Sequence, residues 1–321
     1  MKISVVIPTY NRRHQIGGAI DSALSQVCET LEVEVIVVDD GSSDGTVAWL
    51  DTAYAGQPVR ILSNARGKGP AGARNTGILA VQGELVALLD SDDQFLPGHL
   101  AAAARLFRKH PDVGLVFGRA QYEQDGVVVD YMGPNFDRKL ALAPRTDEDE
   151  ETIIFTPAYS SHLLEYGCYF NLSSVVMRAE FARSLMTESL RIAEDFEFWV
   201  RLSRQTTFAC LKNAQIRYQL HGDNISFEAA ASAADHAPYL IKAYETMLGY
   251  SGLSRTDQDT IHRHLAQTLF DWAYRCRLHG RFGEAMALHV RSARLGLRRR
   301  NLMAVVKLAV QGLLPSNRNR H

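Results

Sequence analysis

Cysteine is scarce in this 321-residue chain. The four present, Cys28, Cys168, Cys210 and Cys276, lie far apart and form no CxxC pair. That spacing suggests neither a zinc site nor a disulfide framework, and it fits a reducing, cytoplasmic setting. An excess of charge of either sign is also missing. Thirty-five Lys and Arg stand against 36 Asp and Glu, for a formal net charge of -1. Such a balance gives no global reason to expect nucleic-acid binding. Long apolar runs are absent too: none reaches the ~18 residues of a membrane-spanning helix. The opening "MKISVVIPTYNRR" has too short an apolar stretch for a signal peptide. The phosphate-binding signature GxxxxGK(S/T) is missing, and no GxGxxG follows the first strand. No whole-chain repeat is visible.

What remains is an ordinary globular composition, 46% hydrophobic and 22% charged. The length suits one large domain or two, at roughly 100–200 residues per domain. "KISVVIP" is a β-branched run closed by proline and predicts a buried strand. Ile16, Ala19, Ile20, Ala23, Leu24 and Val27 then mark one face of a helix. "VEVIVVDD", "VRILSN" and "GELVALLD" predict further strands, with helices between them. This alternation implies βαβ units and a parallel sheet. In such sheets ligands bind beyond the carboxyl ends of the strands. Those ends carry Pro8-Thr9, Asp39-Asp40 and Asp90-Ser91-Asp92-Asp93. Between residues 114 and 178 the pattern is harder to read. "VGLVFGRAQYE" and "VVVDYM" predict paired strands, and the acidic run "RTDEDEETI" a solvated mobile loop. "LSSVVMR" predicts another strand, "IAEDFEFWVRLSR" a helix, and beyond about residue 228 the pattern is helical.

Four features carry chemistry, each with a plainer explanation beside it. Three acids within "LLDSDDQFLP" repel one another. A surface acid cluster is more often a solvated loop, but these follow an apolar strand at the sheet's ligand-binding edge. A hard cation, Mg2+ or Mn2+, would offset the repulsion and bring a substrate diphosphate with it. "GKGPAGARN" is either a plain loop or a cradle of backbone N–H groups for phosphate, with Arg74 placed to meet an anion or a nucleobase. Glu194-Asp195 suit a helix start, where acids favour the dipole. A carboxylate there can also serve as a general base. His221, in "RYQLHGDNIS", is either structural or a neutral imidazole ligand to a metal.

"SVVIPTYNRRHQIGGAIDSALSQ", "EVIVVDDGSSDGT", "GPAGARNTGILAVQGELVALLDSDD", "AEDFEFWVRL" and "LHGDNIS" occur in the order found in family 2 glycosyltransferases. Over about residues 1–225 the chain resembles that family. The resemblance implies a GT-A fold, an α/β Rossmann-like and mostly parallel sheet flanked by helices, here followed by an all-helical C-terminal region. It implies a nucleotide-diphosphate sugar donor, a divalent cation (Mn2+ or Mg2+) and inversion at the anomeric centre. Carried over by motif, Pro8, Thr9 and Tyr10 would line the base and ribose pocket. Asp39 or Asp40 would hydrogen-bond the base, with Arg74 nearby. Asp90-Ser91-Asp92 matches the family's DxD, Asp90 towards the ribose and Asp92 on the metal, with Asp93 a further candidate ligand. Asp195 matches the catalytic base, and His221 a metal or diphosphate contact. One departure is Gln219, where relatives often carry Arg; Arg217 lies close by.

The expected activity is thus an inverting, metal-dependent hexosyltransferase that favours a UDP-sugar. Its acceptor would be a saccharide or lipid-linked saccharide of bacterial surface polysaccharide or glycolipid synthesis. Two alternatives are a non-catalytic nucleotide-sugar-binding protein and a nucleotidyltransferase of related sheet plan. The latter would carry a GxGxR loop where this chain has "PTYNRR". The expected domains are 1–227, catalytic, and 228–321, helical. The second holds one tetratricopeptide-like helix pair and a basic tail. In that tail Leu302, Val305, Val306, Leu308, Ala309, Val310, Leu313 and Leu314 form an apolar helical stripe. It suits peripheral contact with the inner face of a membrane, packing on the catalytic domain, or a homodimer.

Overall fold

A computed structural model describes residues 1–220, 233–296 and 298–313. It divides into two compact units, Met1–Gly222 and Asp223–His321. In the first, strands and helices alternate: β1 (Lys2–Thr9), α1 (Ile16–Leu24), β2 (Glu32–Asp39), α2 (Thr46–Ala53), β3 (Val59–Ser63), α3 (Pro70–Leu79) and β4 (Leu85–Leu88). There follow β5 (Gln94–Phe95), α4 (His99–Lys109), β6 (Val113–Gln124), β7 (Val127–Val129), α5 (Gly133–Ala141), β8 (Arg145–Glu148), β9 (Thr152–Phe155) and α6 (Tyr159–Tyr166). A short 3-10 turn (Leu172–Ser174), β10 (Val176–Arg178), α7 (Ala179–Ala182), α8 (Glu194–Ser203) and β11 (Thr207–Gln219) complete the unit.

One sheet runs in the order β3-β2-β1-β4-β10-β6-β11-β9-β8. Its first four strands are parallel, with Val5 level with Val35 on β2 and Ala87 on β4. β10 enters antiparallel to β4 and β6, and β11 runs parallel to β6. Helices cover both faces of the parallel part. Ile16, Ile20, Leu50, Leu100 and Phe107 share a core with Val5, Ile7, Val35 and Val37, while Ala73 of α3 packs with Ile36 and Val38. Burial on both faces is why β1 and β2 read as unbroken apolar runs rather than alternating ones. α3 lies very close to the sheet. A Cβ on Gly77 would sit 2.4 Å from Val6 Cγ1 and 3.1 Å from Val38 Cγ2, so the helix accepts a glycine in its middle. Over β6 and β9 the core is aromatic, with Phe117 stacked on Phe170 at 3.9 Å and Phe155 on Tyr159 at 4.1 Å between ring centroids.

The acidic run is not a loop. Arg145–Glu148 is a strand, paired antiparallel with β9. Asp149 closes the hairpin by accepting bonds from Glu151 N, Thr152 N and Thr152 Oγ1, at 3.0, 2.7 and 2.8 Å. Its carboxyl is held well below the usual range by Lys109 and Thr152. Lys212 and Arg145 pair with Glu148. Two of the cations that neutralise this edge, Lys109 and Lys212, are distant in sequence, so charge alone read as solvated loop.

The second unit is helical: α9 (Ala233–Leu248), α10 (Arg255–Leu278), α11 (Phe282–Leu295) and α12 (Arg298–Leu313). Ser254 caps α10, its hydroxyl accepting Asp257 N at 3.0 Å. Ala237, Ile241, Leu265, Leu269, Trp272, Cys276 and Ala285 form its core. A buried polar chain ties three helices: His289 Nδ1 meets Asn301 Oδ1 at 2.8 Å, Asn301 Nδ2 donates to Ser292 Oγ at 2.9 Å, and Ser292 Oγ donates to Ala266 O at 2.6 Å. No described helix is long and apolar enough to cross a membrane.

His99, at the start of α4, gives the first unit a pH-dependent element. Gln215 Nε2 donates to Asn213 O, so Gln215 Oε1 is the acceptor for His99 Nδ1–H at 3.0 Å. His99 Nε2 is buried without a partner among the described residues. Burial lowers the imidazole from 6.5 to about 4. Above pH 6.5 the ring is neutral folded and unfolded. As pH falls from 6.5 towards 4, only the unfolded chain takes up the proton, so stability is lost. Denaturant titration at pH 7.5 and 5.5 should show wild type losing about 1 kcal/mol more than His99→Leu. Equal losses would contradict this.

Candidate active site

The acid turn begins where β4 ends. Leu89 N still donates to Val6 O at 3.1 Å, the last bond of the ladder. Asp93 N then donates to Asp90 O at 3.1 Å and closes the turn. Ser173 holds it at both ends. Its Oγ accepts from Asp90 N at 3.1 Å and donates to Asp93 Oδ2 at 2.5 Å. Ser173 is placed by Asn171, whose side chain caps the 3-10 turn through Ser173 N at 2.7 Å. Asp93 is 1% exposed. Burial, then the charges of Asp90 and Asp92, raise its carboxyl well above the usual range. Ser91 is buried as well, whereas Asp92 is half-buried.

Arg74, from the buried face of α3, joins this turn to α8. Its Nη2 donates to Asp90 Oδ1 at 2.7 Å and its Nη1 to Glu194 Oε1 at 3.0 Å. Its Nε is buried with no partner among the described residues. Arg74 is thus committed to two carboxylates in a site 6% exposed. Burial and neighbouring Asp195 push Glu194 up to about 7, against the pull of Arg74. Asp195 is half-buried, and its Oδ1 accepts from Phe196 N at 2.7 Å. Burial raises its carboxyl above the ordinary 3.8, opposed by that bond and by Arg74. A carboxylate raised in this way is a better proton acceptor than an ordinary one.

The residues of the nucleotide side gather at the ends of β1 and β2. Pro8 is half-buried, Thr9 is buried with Oγ1 unpartnered among the described residues, and Tyr10 is exposed, with Lys68 Nζ 4.8 Å above its ring. Asp39 Oδ2 accepts from Gly41 N and Ser42 N, both at 3.0 Å. Asp40 accepts from Asn64 Nδ2 at 2.6 Å and from Gly69 N at 2.9 Å. The glycine-rich loop is therefore not an open cradle. Gly69 N goes to Asp40, and Gly67 N goes to Glu188 at 3.1 Å. The loop is also pressed onto α3, since a Cβ on Gly72 would lie 1.8 Å from Gly67 O.

His221 lies outside the described residues, and among those described no group of three His, Cys, Asp or Glu is arranged to hold a metal. The donors present still fit a hard divalent cation. Mg2+ typically needs one or two carboxylates, with substrate phosphates and water filling the rest. Asp92, the remaining acid of the turn, is half-buried. Sequence reading missed Ser173, Glu188 and a tyrosine group. Tyr122 and Tyr218 face each other across β6 and β11, with ring centroids 5.4 Å apart, and Tyr131 lies 5.5 Å from Tyr122. Burial and the nearby Asp93 push the Tyr122 phenol up to about 12. The one sequence hint is tyrosine recurring in the two strand segments.

Ala193, which precedes the acids of α8, sits in left-handed backbone at φ 64°. Its carbonyl accepts the first helical bond, from Glu197 N at 3.0 Å. An L-residue pays roughly 1–2 kcal/mol in this conformation, so the helix start is strained just where it presents Asp195. Ala193→Gly should raise the unfolding free energy by about 0.5–1 kcal/mol in urea titration, after the added entropy of the unfolded glycine. A loss of stability would contradict the strain.

Comparison with known proteins finds relatives in sequence and in fold. Residues 4–156 match the family model Glycosyl transferase family 2. The succinoglycan biosynthesis protein ExoO of Rhizobium meliloti is 41% identical over 126 residues, 37% of this chain and 35% of that protein. The UDP-Glc:alpha-D-GlcNAc-diphosphoundecaprenol beta-1,3-glucosyltransferase WfgD of Escherichia coli is 31% identical over 127 residues, 40% of this chain and 49% of that one. Such matches span less than half the length of these relatives. Among solved structures, S. aureus TarS 1-349 in complex with UDP-GlcNAc gives a TM-score of 0.66 at 20% identity, over 93% of this chain and 82% of that one. The mannosyltransferase PcManGT from Pyrobaculum calidifontis, in complex with GDP-Man and Mn2+, gives 0.56 at 16% identity, over 98% and 81%. At these identities the likeness is one of fold, a GT-A sheet with helical additions. The family match over residues 4–156 agrees with the order of motifs along the sequence and with that fold, and over that segment the chain is similar to glycosyl transferase family 2.

Proposed function

We propose that the first unit transfers a hexose from a nucleotide-diphosphate sugar, a UDP-sugar by preference, to a hydroxyl of a saccharide or lipid-linked saccharide, with inversion. The reading places this work at the cytoplasmic face of the cell, in polysaccharide or glycolipid synthesis. The observation that carries it is the Arg74 bridge, which brings the acid turn and the Glu194-Asp195 helix start to one edge of the sheet. Support for the donor comes from the structural neighbours, solved with UDP-GlcNAc and with GDP-Man and Mn2+. Support for the acceptor comes from the name of the E. coli relative, whose substrate is a diphosphoundecaprenol.

In this reading Pro8, Thr9 and Tyr10 line the base and ribose pocket, and the orphan Thr9 hydroxyl is a donor for the nucleotide. Asp39 and Asp40 shape the base end, and Asp90, oriented by Arg74, faces the ribose beside Ser91. Asp92, with His221 as a further ligand, would hold Mn2+ or Mg2+ against the diphosphate. Bound there, the cation supplies neutralisation of the charge that builds on the leaving group. Asp93 supports the turn from beneath. Asp195 accepts the proton of the acceptor hydroxyl as its oxygen attacks the anomeric carbon from the face opposite the diphosphate. The bond from that carbon to the diphosphate oxygen breaks, and the nucleoside diphosphate departs. Base catalysis of this kind is typically worth ~10²–10⁴-fold, and alignment of donor and acceptor contributes much of the remainder.

A paired experiment separates binding from chemistry. Asp195→Asn should bind UDP with Mn2+ near wild-type affinity in calorimetry while turnover falls by on the order of 10²-fold or more. Asp92→Ala should lose the Mn2+-dependent part of UDP affinity with an unchanged melting curve. Near-normal turnover in the first variant returns Asp195 to a helix-start acid. Intact Mn2+-dependent binding in the second removes Asp92 from the metal.

A further inference from the structure

The last helix is built inside out. Asn301 of α12 is fully buried and bonded to His289 and Ser292, while Leu302 and Met303 are each 65% exposed and Val306 is 55% exposed. A helix serving only a globular core turns its large apolar side chains inward and its amides to water. Here the polar group is inside and the aliphatic groups point outward. The sequence continues the apolar spacing through Ala309, Val310 and Leu313.

Along the sequence, the charge that flanks this helix has one sign. After Glu284 the chain has no Asp or Glu, but seven Arg and one Lys: Arg291, Arg294, Arg298, Arg299, Arg300, Lys307, Arg318 and Arg320. Arg299 and Arg300 are exposed beside the apolar group. Between α10, α11 and α12 lies a cavity of about 310 Å³, lined by Phe270, Tyr274, Arg277, His289, Arg300, Met303 and Ala304. The Arg300 guanidinium lies 4.6 Å over the Phe270 ring, and that of Arg277 lies 4.9 Å over the half-exposed Tyr274 ring. Apolar walls with guanidinium groups at the rim suit an amphiphile whose head is a phosphate.

We propose that this surface of the helical unit docks on an anionic phospholipid bilayer. Leu302, Met303 and Val306 enter the boundary between headgroups and acyl chains, and Arg299 and Arg300 lie among the phosphates. The aromatic rings of Phe270 and Tyr274 sit at headgroup level, where such rings are favoured. A second copy is a poorer occupant. A two-fold contact sets the same patch against itself, and that would place these cations face to face. The proposal concerns a surface of the second unit and does not depend on the chemistry of the first.

The test is co-sedimentation of the full chain with phosphatidylcholine vesicles, with and without phosphatidylglycerol, at low and high salt. Wild type should pellet with the anionic vesicles and be released as salt rises. The paired substitution Met303→Asp with Val306→Asp alters exposed positions only and should abolish pelleting. Arg299→Ser with Arg300→Ser should weaken it by about 25-fold at low salt, since each of the two cations near the lipid contributes ~1 kcal/mol, a factor of about five. Circular dichroism melts check that both variants fold, and light scattering reports their mass. Absence of pelleting with anionic vesicles overturns the proposal. So does pelleting of both variants like wild type. A wild-type dimer that the aspartate pair converts to monomer would assign the face to self-association instead.

Discussion

A single guanidinium holds the active edge together. Arg74 leaves α3 inside the protein and meets Asp90 on one side and Glu194 on the other. Removing one member of such a buried ionic group typically costs about 3–5 kcal/mol, because a charge is left without its partner. Two carboxylates and one cation also leave a net negative site. Burial and mutual repulsion then raise Glu194, Asp195 and Asp93 above their usual range. Perturbed carboxylates of this kind are what the proposed cation binding and proton transfer require.

Like charges crowd at the end of β4 because each is held differently. Asp90 is neutralised by Arg74, Asp93 is sealed against Ser173, and Asp92 is half-buried. The Ser173 hydroxyl, donor to one acid and acceptor from the backbone of another, fixes the turn at both ends. The glycine-rich loop is fixed in a similar way. Asp40 and Glu188 take the N–H groups that would otherwise be free, so rigidity there comes from carboxylates.

The parallel half of the sheet was legible in the sequence for a physical reason. Strands buried on both faces must be apolar throughout, and β1, β2 and β4 nearly are. Since ligands gather where such strands end, Pro8, Asp39 and Asp90 stand out from the pattern of residues alone. Beyond β4 the same logic fails. β10 has three residues, and β8 is a charged edge strand flanked by Lys109 and Lys212 from elsewhere in the chain. The ties that complete the site were also hidden. Arg74 and Glu194 are 120 residues apart, and Asp93 and Ser173 are 80 apart. No periodicity reports contacts of that range. The reversed polarity of α12 was partly visible as an apolar stripe beside arginines, but only the burial of Asn301 tells which side of the helix faces water.

The central claim, nucleotide-sugar transfer with inversion, is tested most directly by following the anomer formed when water stands in for the acceptor. A panel of nucleotide sugars with α-configured donors, UDP-sugars first, is incubated with the protein and Mn2+ in an NMR tube. The account predicts slow release of the nucleoside diphosphate with the β-anomer of the free sugar appearing first, before mutarotation mixes the two. First appearance of the α-anomer would contradict inversion, and absence of diphosphate release from every donor would contradict the transferase itself.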